Sequence, residues 1–211
     1  MNAIYLSSPL NPKLEVAAFA GHFATRHSHN SHYIDITRMK HEHTMAREAA
    51  ITLAQHYTYE KSIDTIVCLD GSEVIGAFLA RHLAQKDRFA VNSEKNINVV
   101  TPEYDSNGQL IFRDNLSPMI SGKSVLLLIS TVNSGKTIRR ALECVEYYGA
   151  CVAGIATVFS TLEQVEEKPI YTLFSPADIP DYITAKPKEC PLCKAGRRLD
   201  ALANSYGLSR L

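Results

Sequence analysis

Apolar residues along this chain follow two different periods. Three short apolar runs predict buried β-strands: residues 64–70 (DTIVCLD), 124–130 (SVLLLIS) and 151–160 (CVAGIATVFS). Three other segments carry apolar residues at helical spacing and predict α-helices: residues 44–57, 73–85 and 137–150. Strands that alternate with helices indicate an α/β fold, with a central, mainly parallel sheet that helices cover on both faces.

The remaining segments depart from this alternation. Residues 14–24 (LEVAAFAGHFA) have helical apolar spacing and predict a further helix, and residues 31–36 predict a short strand. Residues 86–122 are polar except for INVV and QLIF, which predict two short strands, paired as a hairpin, among mobile loops. The Pro- and Cys-containing tail predicts an extension outside the core. We therefore expect a main domain over residues 1–175 and an extension over residues 176–211.

Composition narrows the class of protein. The 211 residues include 22 Lys+Arg and 22 Asp+Glu, so the formal net charge is zero. General electrostatic binding to nucleic acid, which needs a basic face, is therefore not expected. No apolar run approaches the ~20 residues that span a bilayer, so no membrane partner is expected. Five cysteines, an odd number, and the absence of a signal-peptide pattern favour a reducing, cytoplasmic location.

Two predicted strand ends carry polar residues that suit ligand binding. In open α/β sheets, ligands bind beyond the carboxyl ends of the strands. The first is Asp70-Gly71-Ser72, and the sharper is STVNSGKT (130–137), where a strand enters a short loop and a helix begins at once. Backbone N–H groups and the helix dipole make such a turn an anion site, to which Ser134, Lys136 and Thr137 would add donors and charge. The alternative is an ordinary strand-to-helix loop.

A nucleotide-hydrolase P-loop is a weaker alternative for the same segment. STVNSGKT nearly fits G-x-x-x-x-G-K-[ST], but Ser130 replaces the first glycine. The next predicted strand ends in VFST and offers no acid to organise Mg²⁺.

Four stretches in the same order resemble the orotate phosphoribosyltransferases of the type I phosphoribosyltransferase fold. They are FATRHSHNSHYIDI (23–36), TMAREAAITLAQ (44–55), IVCLDGSEVIGAFLA (66–80) and residues 121–159. The resemblance implies a small N-terminal hood from about residues 1–40 and a mobile loop at about 90–113 that closes over the site. It also implies transfer from phosphoribosyl pyrophosphate (PRPP) to orotate, with Mg²⁺, in a homodimer that takes a small-molecule substrate.

The resemblance also implies site residues. The PRPP phosphate and ribose would be bound by Ser130, Thr131, Asn133, Ser134, Gly135, Lys136 and Thr137. The pyrophosphate would face Asp70, Gly71, Ser72 and Glu73. Arg26 and Lys95 would be the catalytic cations, and Tyr33 and Ser160 would line the base pocket.

This chain departs from the family where ligands would touch. The paired acids that grip the ribose hydroxyls are replaced by Ile129 and Ser130, and the Asp-Arg pair that holds the orotate carboxylate by Ser160 and Thr161. Three interpretations stay open: orotate transfer with substituted residues, transfer to another base, and a non-catalytic sensor of a phosphoribosyl compound.

The extension contains half of a zinc site, Cys190-Pro-Leu-Cys193. A closed tetrahedral site needs four ligands, so the missing pair must come from a partner chain or from histidines. Six of the eight histidines lie between residues 22 and 43, with the alternating pairs His27/His29 and His41/His43. Reduced structural thiols and a redox pair are the alternatives to zinc.

Overall fold

The computed structural model of the chain describes residues 3–211. The strands are β1 (Ala3–Ser8), β2 (Asn11–Ala24), β3 (His29–Asp35), β4 (Thr65–Leu69), β5 (Asn98–Val100), β6 (Glu103–Tyr104), β7 (Leu110–Ile111), β8 (Ser124–Val132), β9 (Cys151–Ser160), β10 (Gln164–Val165), β11 (Lys168–Phe174), β12 (Thr184–Ala185), β13 (Ala201–Asn204) and β14 (Gly207–Arg210). The α-helices are α1 (Thr37–His41), α2 (His43–Tyr57), α3 (Glu73–Leu83), α4 (Lys136–Tyr147) and α5 (Pro191–Lys194).

The central sheet has the strand order β10-β11-β9-β8-β4-β5, and all neighbours are parallel except the antiparallel edge pair β10-β11. Successive strand residues point to opposite faces, so β8 contributes side chains to the hydrophobic cores on both faces of the sheet. Leu126 and Leu128 pack on the side of α2 and α3. Leu127 and Ile129 pack on the side of α4. This arrangement confirms the predicted α/β fold with helices on both faces.

The second sheet forms the hood, and it corrects the helix predicted at residues 14–24. That segment belongs to strand β2, which pairs with β1 and β3 in an antiparallel arrangement. Leu14, Val16 and Ala18 are buried and alternate with less buried residues, which is the two-residue period of a strand. Pairing on both sides outweighs the high helix propensity of alanine, because propensity is a weak prior that tertiary contacts override.

The polar segment 86–122 also differs from its prediction. The INVV stretch does not pair with QLIF: β5 joins the central sheet parallel to β4, and β7 pairs with β6. The hairpin is therefore Glu103–Ile111, and three residues of the expected mobile loop form an edge strand of the central sheet. Val100 is buried in this position, so pairing of β5 with β4 removes an apolar side chain from water.

The C-terminal extension is built into the hood. β12 pairs with β3, and β13 pairs with both β2 and β14. Ala201 and Cys190 are almost completely buried, so the extension contributes to the packed interior instead of lying outside it. Within residues 3–211, no helix is long and apolar enough to cross a membrane.

Candidate functional site

A cavity of about 590 Å³ lies where the hood faces the carboxyl edge of the central sheet. The ends of β4 and β8 and the start of α4 form its floor. The hood strands β2 and β3, the β6–β7 hairpin and the β13–β14 turn form its walls. Because parallel strands all end at this edge, turns far apart in sequence share one cavity.

The β8–α4 turn, residues 130–137, has the backbone geometry of an anion site. Gly135 precedes α4 and has φ +71°, a left-handed conformation that glycine adopts without strain. A Cβ at this position would lie 3.0 Å from both Leu162 and Val165. The first N–H groups of α4 have no partner within the helix. Lys136, Thr137 and Ile138 of this first turn line the cavity, so the positive end of the helix dipole lies beside it.

Positive side chains converge on this turn. Lys136 Nζ lies 3.4 Å from Nδ1 of His27, which the hood contributes. Burial, followed by the positive charges of Lys136, Arg26 and Arg140, lowers the pKa of His27. Three permanent cations and a helix N-terminus therefore face the same volume, which favours a ligand with several negative charges.

The β4–α3 turn, residues 69–73, carries an acid with a buried cation over it. Asp70 has φ +55° and Gly71 has φ +77°, so the chain turns sharply here. Lys40 is only 6% exposed and its ammonium donates a 2.7 Å hydrogen bond to the carbonyl of Ser205. Burial raises the pKa of Asp70, and Lys40 partly opposes that shift. Burial also lowers the pKa of Lys40. The turn is thus polar, charged and poorly hydrated.

Ser130 joins the two turns. Its hydroxyl donates a 2.8 Å hydrogen bond to the carbonyl of Asp70, and the side chain is 1% exposed. Ile129 is equally buried and packs in the core on the α4 side. The two positions where the resemblance implies paired acids therefore hold an apolar side chain and a hydroxyl already engaged with the protein.

The structure brings most of the sequence-predicted residues to the cavity. Those that line it are Arg26, Tyr33, Asp70, Ser130, Thr131, Asn133, Ser134, Gly135, Lys136 and Thr137.

Gly71, Ser72, Glu73 and Ser160 flank the cavity without lining it. The Ser72 hydroxyl donates to the carbonyl of Leu128 at 3.0 Å, and the Ser160 hydroxyl donates to the carbonyl of Leu162 at 2.6 Å. The Glu73 carboxylate accepts a 3.1 Å hydrogen bond from Thr101. These side chains are engaged with the protein and shape the turns.

Lys95 lies at the opposite edge of the central sheet. Its ammonium is 2.6 Å from Asp64 and 2.9 Å from the Ser62 hydroxyl, just before β4 begins. The structure therefore does not bring Lys95 to the cavity, because the turn that carries it packs at the amino ends of the strands. Lys40 is the lysine that reaches the β4–α3 turn.

Sequence reasoning missed several lining residues. Besides Lys40 they are Tyr104, Arg140 and the β13–β14 turn residues Asn204, Ser205 and Tyr206. Arg140 follows the predicted anion turn by one helical turn on the same helix, so its position was available from the spacing. The β13–β14 turn carries no such signal, because only the pairing of β13 with β2 brings it to the cavity.

Cys190 and Cys193 do not line this cavity and lie beside His22 and His29. The sequence left two sources for the missing pair of metal ligands, a partner chain or histidines. Among the described residues, two histidines of the same chain lie beside the two cysteines.

Known proteins with similar sequences and structures indicate the family of this chain. Residues 35–186 match the phosphoribosyl transferase domain family. The chain is 24% identical over 191 residues to an orotate phosphoribosyltransferase of Chlorobium phaeobacteroides, covering 88% of each chain. It is 25% identical over 190 residues to that of Chlorobaculum parvum, again covering 88% of each.

Two solved structures share the fold with a TM-score of 0.52 each. One is an adenine phosphoribosyltransferase of Thermoanaerobacter pseudethanolicus, 17% identical, with 68% of this chain and 88% of that chain covered. The other is an orotate phosphoribosyltransferase of Mycobacterium tuberculosis, 15% identical, with 71% of this chain and 83% of that chain covered. The family match spans more than half of the chain, and the cavity lies beyond the carboxyl ends of the strands, where open α/β sheets bind ligands. The chain therefore belongs to the phosphoribosyl transferase domain family.

Proposed function

We propose that this protein binds PRPP in the cavity between hood and sheet and transfers its phosphoribosyl group to a nitrogen base, with orotate as the first candidate. The observation that carries the proposal is the convergence of Arg26, Lys136 and Arg140 on the glycine turn that opens α4. A phosphate seated there would accept several backbone N–H bonds and meet permanent positive charge.

The two turns divide the substrate between them. The 5-phosphate would occupy the β8–α4 turn, with Ser134, Lys136 and Thr137 as side-chain partners. The pyrophosphate would lie toward the β4–α3 turn, where the Lys40 ammonium is nearly buried and holds its place through the Ser205 carbonyl. The ribose would bridge the turns beside Ser130, and the base would face Tyr33 and Arg26 of the hood.

In the proposed reaction, the base nitrogen loses its N–H proton to water or to the departing pyrophosphate, and its electron pair forms the new bond to ribose C1. The bond from C1 to the pyrophosphate oxygen breaks, and the pyrophosphate leaves with that electron pair. The chain's own residues orient the two reactants and neutralise charge that builds on the leaving group, which are the main sources of rate in such a transfer. Lys40 is the group best placed for the second task.

The residues of the cavity do not build a resident Mg²⁺ site. Among residues 3–211, Asp70 is the only carboxylate that lines the cavity, and burial raises its pKa. Mg²⁺ usually binds through one or two carboxylates together with substrate phosphates and water. We therefore propose that Mg²⁺ enters as the counterion of PRPP and not as a cofactor bound beforehand.

Calorimetry with PRPP and Mg²⁺, with and without orotate, tests the proposal. We expect PRPP and ribose 5-phosphate to bind, and Lys136→Gln to weaken both by about tenfold, since one charge-assisted hydrogen bond contributes roughly 1.5 kcal/mol or more. Arg47→Gln is the matched control, because Arg47 is an exposed helical cation paired with Glu48. Binding of a nucleoside triphosphate with PRPP ignored would contradict the proposal.

Orotate is proposed as the base because both curated relatives carry that name and because Arg26 offers a cation to an anionic base. Adenine and hypoxanthine serve as the competing substrates in the same assay. Orotidine 5-phosphate formed from orotate, with no product from the purines, is the expected result.

A phosphoribosyl sensor without turnover is the second candidate. It is favoured by Ile129 and Ser130, which leave the ribose without the carboxylate pair that the family uses. Tight PRPP binding with no pyrophosphate released for any base would select this alternative.

We further propose that the protein is a cytoplasmic homodimer, as its resemblance to the orotate enzymes implies. None of the five cysteines, all of which lie within residues 3–211, is paired in a disulfide, which suits a reducing compartment. Light scattering of the purified chain tests the dimer directly.

A further inference from the structure

Four side chains of the hood strands and the C-terminal extension bring their ligand atoms together. His22 lies in β2, His29 begins β3, Cys190 immediately precedes α5, and Cys193 lies within α5. Their side-chain nitrogen and sulfur atoms all lie within 4.8 Å of one another. Two residues are separated from the other two by about 160 positions, so only the folded chain assembles the group.

The distances within the group match one tetrahedral ion. With Zn–N bonds of about 2.0 Å and Zn–S bonds of about 2.3 Å, tetrahedral coordination separates two nitrogens by about 3.3 Å and a nitrogen from a sulfur by about 3.5 Å. Nε2 of His22 is 3.2 Å from Nδ1 of His29, 3.5 Å from Sγ of Cys190 and 3.7 Å from Sγ of Cys193. Sγ of Cys193 is 3.2 Å from Nδ1 of His29.

The surroundings of His22 orient it as a metal ligand. Its other ring nitrogen, Nδ1, lies 2.9 Å from the carbonyl oxygen of Arg197. A carbonyl can only accept, so Nδ1 carries the proton and the lone pair of Nε2 is directed into the group. Metal-binding histidines almost always donate their second ring N–H to a carbonyl or carboxylate in this way.

We propose that His22, His29, Cys190 and Cys193 bind one Zn²⁺ per chain. Two thiolates and two imidazoles in a closed tetrahedral set are the ligands of a structural zinc site. A two-iron cluster with the same ligand types divides its histidines and cysteines between two metals, whereas here Nε2 of His22 lies within 4 Å of both sulfurs.

The position of the four ligands indicates that the ion would stabilise the structure of the hood. The hood loop that carries Arg26 and His27 runs from His22 to His29, so the ion would hold both of its ends. The backbone N–H of His22 also donates to Asp200 at 2.7 Å, immediately before β13. One ion would thus fasten the hood loop, the α5 turn and the β13–β14 hairpin together, and two of these segments line the cavity.

Elemental analysis of the full chain, purified without chelator and with any affinity tag removed, tests the site. We expect one zinc per chain. Cys193→Ser and Cys190→Ser should both lose the zinc, whereas Cys151→Ser, which changes an exposed cysteine of the central sheet, should retain it. Circular dichroism establishes that each variant is folded, and Cys193→Ser is the least disruptive choice because Cys193 is exposed.

Two further readouts sharpen the result. Replacement of the bound ion by Co²⁺ should give the visible absorption of a tetrahedral thiolate site in the wild type and in Cys151→Ser only. Amide hydrogen exchange should speed up in residues 25–28 and 201–210 of the Cys193→Ser variant, with the central sheet unchanged.

Three outcomes would overturn the proposal. The first is a wild-type chain that takes up no zinc when reduced and dialysed against Zn²⁺. The second is zinc retained by both cysteine variants. The third is half a zinc per chain in a dimer that dissociates when Cys193 is replaced, which would indicate an ion shared between chains.

Discussion

The two strand-to-helix turns that meet in the cavity differ in both backbone conformation and charge. The β8–α4 turn uses a left-handed glycine, Gly135, and is surrounded by cations. The β4–α3 turn uses left-handed Asp70 and Gly71 and contributes an acid, over which Lys40 lies buried. The carboxyl ends of the strands thus carry an open anion site at the β8–α4 turn and, at the β4–α3 turn, an acid whose charge Lys40 compensates. Ser130 links the two turns through its hydrogen bond to the Asp70 carbonyl. The difference lies in the side chains and in the backbone conformations that follow two neighbouring parallel strands.

The largest expected effect comes from placing acids in the cationic turn. Ile129→Asp with Ser130→Asp restores the acid pair of the family, but both side chains are 1% exposed and Ile129 packs in the core. Burial of an uncompensated carboxylate costs several kcal/mol. We expect the free energy of unfolding to fall by about 4 kcal/mol or more, as measured by urea denaturation. A stable double variant with faster orotate transfer would show that these positions tolerate the acids and face the ribose.

The next effect concerns Gly135. Valine there must adopt a left-handed conformation, at about 1–2 kcal/mol, and its side chain also meets Leu162 and Val165. We expect Gly135→Val to lower the free energy of unfolding by roughly 2–4 kcal/mol and to abolish ribose 5-phosphate binding.

Gly149→Val is the matched control for Gly135→Val. Gly149 has φ +68° with no atom within 4 Å of its Cβ position, so only the conformational cost applies. It should retain ligand binding. Equal losses of stability in the two variants, with ligand binding intact in both, would contradict the close approach of the phosphate to the backbone at Gly135.

Replacing Lys40 tests the charge compensation at the other turn. Lys40→Met removes the ammonium beside Asp70 and its hydrogen bond to Ser205. A charge-assisted hydrogen bond contributes roughly 1.5–3 kcal/mol, so PRPP affinity should fall by roughly 10- to 100-fold, whereas ribose 5-phosphate affinity should change little. Arg38→Met, on the same helix but exposed and paired with Glu42, should affect neither. Equal loss of both ligands from Lys40→Met would contradict the division of the substrate between the turns.

The smallest effect is expected at the far edge of the sheet. Lys95→Met breaks a partly exposed ion pair with Asp64 and should lower the free energy of unfolding by about 0.2–1 kcal/mol, with PRPP affinity unchanged. A large loss of PRPP affinity would show that Lys95 contributes to the binding site after all.

The pH dependence of that pair has a definite sign. Hydrogen bonds from Lys95 and from the Ser124 N–H lower the pKa of Asp64. The stabilisation is therefore fully present above the ordinary carboxyl pKa of about 3.9 and is lost as pH falls through the lower folded-state pKa. The stability difference between wild type and Lys95→Met should shrink below that pH, as denaturation at several pH values would show.

The local sequence determined the α/β alternation and the β8–α4 turn. Continuous apolar strands, helical periods and a glycine before a helix are signals that neighbouring residues carry by themselves, so residues 124–150 were predicted with small errors at their ends. The strand at 11–24 was not, because alanine-rich sequence favours helix until β1 and β3 pair with it.

Tertiary structure decided the rest of the site. Lys95 and Lys40 are both lysines near polar turns, and only the folded chain assigns one to each edge of the sheet. His22 and His29 meet Cys190 and Cys193 because β13 pairs with β2 and draws the extension onto the hood. Such contacts join residues far apart in sequence, and no short-range period or spacing encodes them.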